Sequence, residues 1–237
     1  MSIAENIAQV GERIQMAARR VQRNPEEINL MAVSKGFPAE QIREAYNAGI
    51  RTFGENRVQE FAEKAEAVDD LEARWHLIGH LQTNKASNAA RLFHAIDSLD
   101  SLRLARKLNS AAQEMGKKIP VLIEVNIGGE AAKSGVRPDS TQLNQLLSAA
   151  PELPSLEFRG LMAIPPYHDD PEKSRPFFRE MQRLRKQISN QNLPGVSMEV
   201  LSIGMSHDFE IAIEEGSTCI RVGTAIFGER KSVRSQA

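Results

Sequence analysis

Near the two ends of the chain lie residues able to do covalent or ionic chemistry. The first is Lys35, which closes the apolar run "INLMAVSKG", residues 28 to 36, with Gly36 directly behind it. A surface lysine ordinarily lays its stem on apolar side chains and keeps its ammonium in water. A lysine at the end of a buried strand can instead lose part of its hydration, which lowers its pKa from about 10.4 and enlarges the neutral fraction that attacks a carbonyl. Such a lysine can form an imine. The second feature is a pair of turns, "SIGMSHDFEIAIEEG" at 202 to 216 and "RVGTAIFG" at 221 to 228. Each reads as a strand end, a small-residue turn and the start of a helix. Ser206 is placed to cap the helix "HDFEIAI", and Gly223 with Thr224 opens a second, shorter one. Glycines and a capping serine serve ordinary turns, but two such turns side by side can cradle a phosphate.

A lysine poised for an imine and a phosphate cradle together describe a ligand that is both an aldehyde and a phosphate ester. Pyridoxal 5'-phosphate is one such ligand, and the sugar phosphates of lysine aldolases are the other class. The residues by themselves leave both open.

These groups must share one surface, and the pattern of elements supplies it. Ser2 can cap a helix over residues 3 to 22, in which Ile3, Ile7, Val10, Ile14 and Ala17 recur every three or four positions. After it, eight β-rich runs alternate with helical patterns: "INLMAVS", "RTFGEN", "RWHLIGH", "LFHAID", "PVLIEVNI", "LEFRGLMAI", "MEVLSIGM" and "TCIRVG". Helical stretches are predicted at 38 to 48, 56 to 68, 100 to 115, 139 to 149 and 172 to 190, with a weaker segment after the third strand. Most of the β runs are apolar almost throughout, as in parallel strands covered by helices. Eight strand and helix units in 237 residues predict an α/β protein, a single (β/α)8 barrel with an extra N-terminal helix, with a doubly wound open sheet as the competitor. In a barrel the residues just past each strand line the C-terminal mouth, where Lys35, Ser206, Gly223 and Thr224 would meet. His80, just past the third run, is a candidate for the same mouth.

Composition narrows the function classes. Thirty Lys plus Arg against thirty-one Asp plus Glu leave a net charge of -1, so the chain has no global basic field for nucleic acid or an anionic membrane. A single cysteine, Cys219, excludes an intrachain disulfide and a cysteine-based zinc cluster, and suits a reducing compartment. The N-terminus carries no signal-peptide pattern and no apolar run nears the roughly 20 residues of a membrane span, so a cytoplasmic protein is expected. No linker or repeat divides the chain; one domain over 1 to 237 is expected, with "KSVRSQA" at 231 to 237 as a loose tail. His76 and His80 in a strand-to-loop segment are not spaced for a metal, and Trp75 and Phe93 read as packing residues. The basic run at 175 to 187 reads as the solvated face of an outer helix.

"AVSKG", "FGENRVQE", "WHLIGHLQTNK", "KSG" at 133 to 135, "RGLMAI", "SIGMSHD" and "RVGTAIFG" occur in this order and closely resemble the pyridoxal-phosphate homeostasis proteins, over essentially the whole chain. The resemblance implies a monomeric barrel like the N-terminal domain of alanine racemase, the fold-type III arrangement of pyridoxal-phosphate proteins. It implies a protein that holds pyridoxal 5'-phosphate as a Schiff base and buffers or delivers it, with transient contacts to pyridoxal-phosphate-dependent apoenzymes and no established turnover. Carried over by position, Lys35 is the imine lysine, Ser206, Gly223 and Thr224 form the phosphate cradle, and Arg221 faces the pyridine nitrogen. Asn56 and Met205 match further pocket positions, and Lys133 matches a lysine suspected of a secondary role, although it also reads as a solvated loop residue. A guanidinium only donates, so Arg221 would keep the ring nitrogen unprotonated and make the cofactor a poorer electron sink. The alternatives are an amino-acid racemase using the same cofactor, with Tyr167 in "PPYHDD" as the second acid or base near the mouth, and the sugar-phosphate aldolase.

Overall fold

At the N-terminus Ser2 Oγ accepts from the Glu5 N–H at 3.2 Å while the Glu5 carboxylate accepts from the Ser2 N–H at 2.8 Å, a reciprocal cap that starts α1 (Ile3–Arg20). The computed structural model describes residues 1–130 and 132–229; the tail expected at 231 to 237 lies outside the described residues. Eight strands follow α1: β1 (Asn29–Val33), β2 (Thr52–Glu55), β3 (Arg74–Leu77), β4 (Ala95–Leu99), β5 (Ile119–Val125), β6 (Leu156–Ala163), β7 (Val196–Met205) and β8 (Cys219–Val222). Each pairs in parallel with the next, and β8 returns to β1 through Met31 opposite Arg221 and Ala32 opposite Val222, which closes the barrel. The eight-stranded α/β barrel predicted from the sequence is therefore the fold, and the open sheet is not.

The helices are α2 (Ala39–Asn47), α3 (Val58–Lys64), α4 (Ala86–Leu92), α5 (Leu102–Glu114), α6 (Thr141–Ser148), α7 (Arg175–Ser189), α8 (Phe209–Glu214) and α9 (Thr224–Phe227). They are shorter than their sequence patterns because several first or last turns are 3-10, as at Glu66–Val68 and Pro171–Ser174. Trp75 and Phe93 pack as expected. The Trp75 ring lies 5.0 Å from Phe53 and 4.7 Å from Phe61, which in turn meets Phe93 at 4.9 Å, fixing α3 on the outside of β2 and β3. Where the β6–β7 register shifts, a Cβ at Gly160 would stand 1.8 Å from the Val200 carbonyl oxygen, so only glycine fits that approach.

The extra helix α1 holds the elements that follow β7 and β8. Arg13 clamps the Glu210 carboxylate of α8 with Nε and Nη2 at 2.8 and 2.9 Å and lies over the Phe209 ring, while the Asn6 amide donates to the Ile226 carbonyl of α9 at 2.8 Å. The basic run on α7 is not simply a solvated face. Arg175 donates to Glu214 at the end of α8 and to Glu215 just after it at 2.8 Å each, and Arg179 to Glu215 at 3.0 Å. Acids distant in sequence pair with Arg175 and Arg179 across a helix interface, while Arg179 and Arg183 stay exposed as expected of a solvated face.

Candidate functional site

Lys35 stands on a turn fastened from both sides. Behind it, Ser34 Oγ donates to the buried Glu55 carboxylate at 2.6 Å, and Lys64 of α3 reaches the same carboxylate oxygen at 2.8 Å. Lys64 also donates to the carbonyls of Ser34 and Phe37 at 3.1 and 3.4 Å, and the Gly36 N–H donates to Glu60. Gly36 has φ of 75°, a left-handed value that makes the turn possible. On the other side the Phe37 ring stacks on Phe227 of α9 at 4.8 Å, joining the β1 turn to the last helix. Burial raises the Glu55 carboxyl above its ordinary pKa, and Lys64 and Ser34 pull it part of the way back.

Arg221, inside the end of β8, is almost completely buried. Its Nη1 donates to the Ser202 carbonyl at 2.6 Å and to Ser202 Oγ at 2.8 Å, and its Nη2 to the Ala163 carbonyl at 2.8 Å. These bonds tie the guanidinium across β7 and β6. Burial draws its pKa below the ordinary arginine value, with Cys219, Asp97, Asp208 and Glu124 acting in the opposite sense. The neighbouring Cys219 thiol is pushed up to about 12 by burial, so it stays protonated and inert.

Ser206 does not cap its own helix. Asp208 is the N-cap residue of α8 and its Oδ1 accepts from the Met205 N–H at 2.8 Å, while Ser206 Oγ accepts from the N–H groups of Gly223 at 3.2 Å and Ala225 at 3.3 Å. The hydroxyl thus bridges the loop after β7 to the start of α9. At Gly223 an added Cβ would meet the Val33 side chain and carbonyl oxygen at an ordinary 3.5 Å, so the position packs against the end of β1 without a clash.

These groups face a cavity of about 400 Å³ at the C-terminal mouth of the barrel. Lys35, Asn56, His80, Met205, Ser206, Arg221, Gly223 and Thr224, the eight residues expected from the sequence, all line it. Asn56 is held close by Gly79, where a Cβ would lie 2.3 Å from the Asn56 carbonyl oxygen. His80 pairs with Asp100 at 3.1 Å, and the ring of Tyr167, mostly exposed, lies tilted against that of His207 at 5.5 Å over the rim. His76 lies at the other end of the barrel, bonded to Asp97 at 3.0 Å. Lys133 pairs with Glu130 at 2.6 Å and donates to the Pro165 carbonyl at 3.2 Å; it lines a smaller adjoining cavity of about 250 Å³ rather than the main one.

Sequence reasoning missed Glu124 and Ser134, which also line the main cavity, and the Glu55–Lys64 pair behind it. The signal was present for Glu124: a lone acid inside "PVLIEVNI" sits at the strand end where mouth residues are expected.

The chain matches the family model of the alanine racemase N-terminal domain over residues 6–231. Pyridoxal phosphate homeostasis proteins from Aquifex aeolicus and Escherichia coli K12 are 46% identical over 231 residues (98% of this chain, all of the relative) and 42% identical over 231 residues (96% and 97%). Among solved structures, PipY of Synechococcus elongatus with PLP bound superposes with a TM-score of 0.81 at 37% identity over 96% of this chain and all of that one. Alanine racemase of Clostridium difficile, at 15% identity and a TM-score of 0.69, covers 94% of this chain with 58% of its own and shares the fold. The chain belongs to the family of pyridoxal phosphate homeostasis proteins.

Proposed function

We propose that this protein binds pyridoxal 5'-phosphate reversibly, as a Schiff base on Lys35, and serves to buffer or deliver it. The observation that carries the reading is the convergence of Lys35, Arg221 and Ser206 from three separate strand ends on one cavity, in a chain 37% identical to a relative seen with PLP bound. The residues present fit the group. The cavity of about 400 Å³ is large enough for a small cofactor, within the usual range of ligand sites. The Ser206 hydroxyl and the glycine at the start of α9, joined by the Gly223 N–H to Ser206 Oγ bond, suit a phosphate, and the fixed guanidinium of Arg221 suits an acceptor nitrogen. When bound, the cofactor supplies an aldehyde that condenses with a primary amine.

Lys35 holds the ligand covalently yet reversibly, because a second amine can displace the lysine. Ser206, Gly223 and Thr224 orient it by its phosphate, and Arg221 donates to the ring nitrogen and keeps a proton off it. We read the protein as a carrier without turnover, monomeric and cytoplasmic, that meets apoenzymes only in passing. The single cysteine, buried and protonated, suits a reducing compartment, and among the described residues no helix is long and apolar enough to cross a membrane. Adding pyridoxal 5'-phosphate to the purified protein should raise a visible imine band that borohydride bleaches. A protein that stays colourless at saturating ligand would contradict the reading.

A further inference from the structure

A cavity of about 350 Å³ at the N-terminal mouth, the opposite end of the barrel, has no part in the arrangement above. Thr52, Arg74, His76 and Asp97 line it from the adjacent strands β2, β3 and β4. Strand alternation aims these side chains inward. Phe53 and Trp75 stack on each other, and Trp75 meets Phe61 of α3, so both lie on the outer face; Thr52, Gly54, Arg74 and His76, one residue to either side, lie on the inner one. A Cβ at Gly54 would stand 2.8 Å from Met31 Sδ and 3.1 Å from Ile78, two members of the inner apolar cluster. A barrel interior is ordinarily packed with bulky branched side chains. Here the register partners of His76 on its two sides are Gly54 and Ala95, too small to fill the space, and the cavity remains.

The polar groups of this cavity are unevenly partnered. Asp97 is 1% exposed, and its two oxygens face His76 Nδ1 at 3.0 and 3.2 Å. Arg159, on the far wall, spends its guanidinium on Glu157 and Glu199 at 2.8 and 2.9 Å. The Arg74 guanidinium makes no hydrogen bond or ion pair with another described residue, and neither does the hydroxyl of Thr52, its register partner on β2. Beside them, burial and then the nearby Arg74, His76 and Lys117 hold the His94 imidazole below its ordinary pKa, the behaviour of a group set among cations. We propose that this mouth is a second ligand site, which takes a small oxyanion, a carboxylate or a phosphate, on the Arg74 guanidinium, the Thr52 hydroxyl and the His76 ring. A guanidinium offers either oxyanion two parallel donors. With Nδ1 turned to Asp97, His76 has Nε2 left for a ligand, and the imidazolium form donates there. The site lies at the far end of the barrel from Lys35 and does not rest on the cofactor reading.

The test titrates inorganic phosphate and acetate separately into the whole protein at constant pH and follows the ring protons of its five histidines by NMR. The His76 signal is identified as the one lost in His76→Gln. The His76 signal should move saturably with at least one of the two anions, and the tighter of them assigns the source as a phosphate or a carboxylate. Arg74 is exposed at the start of β3, so Arg74→Gln should keep the wild-type unfolding transition while raising the dissociation constant about tenfold. Arg74→Lys keeps the charge and should lose less. Ser206→Ala, at the other mouth, should leave the His76 titration unchanged. No saturable movement of His76 with either anion overturns the proposal, as does a dissociation constant that Arg74→Gln leaves unaltered. A His76 response lost in Ser206→Ala would place the anion at the cofactor mouth and overturn it as well.

Discussion

The Ser206 hydroxyl oxygen lies 3.2 Å from the Gly223 amide nitrogen, so a side chain from the end of β7 secures the backbone that follows β8. One hydroxyl accepts from the Gly223 and Ala225 N–H groups at the start of α9, and in the proposed function it also binds the phosphate. Changing Ser206 to Ala should cost about 1 kcal/mol of stability from the lost cap, read by denaturant unfolding without ligand. It should also weaken pyridoxal 5'-phosphate by roughly 1.5 to 3 kcal/mol, the range for a hydrogen bond to a charged group, while leaving pyridoxal nearly unaffected. Equal losses for the two ligands would place the phosphate elsewhere.

Gly223 separates binding from folding. Its φ is -112°, and an added Cβ meets Val33 at 3.5 Å, so Gly223→Ala should leave stability within about 0.5 kcal/mol of wild type. The methyl group would nevertheless keep the phosphate from the backbone, and binding of the phosphorylated ligand should fall. Gly160→Ala is the contrasting control: with 1.8 Å to the Val200 carbonyl oxygen it should destabilise the barrel whatever the ligand. Urea midpoints for both variants, set beside their ligand titrations, check the distinction.

The pair behind Lys35 makes a pH-dependent claim. Glu55 is fully buried and its folded-state pKa lies above the ordinary 4.5 even with Lys64 beside it. A carboxyl raised on folding binds more protons in the folded state, so its contribution to stability falls as pH rises from the unfolded value through the folded one. Lys64→Met removes the counter-charge and raises Glu55 further. The variant should lose up to about 3 to 5 kcal/mol at neutral pH and recover toward wild type in acid, where Glu55 is neutral in both states. Glu55→Gln in the same background should restore most of the loss at neutral pH. Thermal unfolding across the pH range is the measurement, and a loss that is the same at every pH would contradict a role for the buried charge.

Turnover on amino acids should be absent or slow. Racemisation needs a proton removed from one face and delivered to the other, hence two placed acid/base groups, and Lys35 serves only one face. Tyr167 is the tyrosine at the mouth, but it is 72% exposed and tilted against His207, whose ring is bonded to the His168 and Asp169 carbonyls. In the proposed arrangement Arg221 would leave the pyridine unprotonated, and each 1.36 kcal/mol left in a barrier costs about tenfold in rate. Single enantiomers of alanine and serine, incubated with the loaded protein and followed for optical inversion, should show none at an ordinary rate of about 1 per second. Inversion at that rate, lost on changing Tyr167 to Phe, would make the protein a racemase.

Local pattern made the barrel legible: eight apolar runs at regular intervals imply eight buried parallel strands, and the residue after each run then falls at one mouth. Lys35, Ser206 and Gly223 could be named on that ground because their positions relative to a strand end are local facts. What remained hidden depends on side chains far apart in sequence. Ser206 looked like the cap of α8 because the helix follows it directly, and only the pairing of β7 with β8 brings the Gly223 amide within 3.2 Å. The pairing of Arg175 and Arg179 on α7 was hidden because their acids, Glu214 at the end of α8 and Glu215 just after it, lie beyond another strand. Glu55 and Lys64 gave no sign of pairing, since a strand end and a helix C-terminus nine residues apart meet only once α3 docks on the barrel.

The most direct test of the account is the location of the reduced adduct. The protein is loaded with pyridoxal 5'-phosphate, treated with borohydride, digested and mapped by mass spectrometry. The account expects the pyridoxyl group on the peptide that contains Lys35, with Lys35→Ala losing that adduct while keeping the wild-type unfolding transition. A reduced adduct found mainly on Lys133, or one whose yield is unchanged in Lys35→Ala, would contradict it.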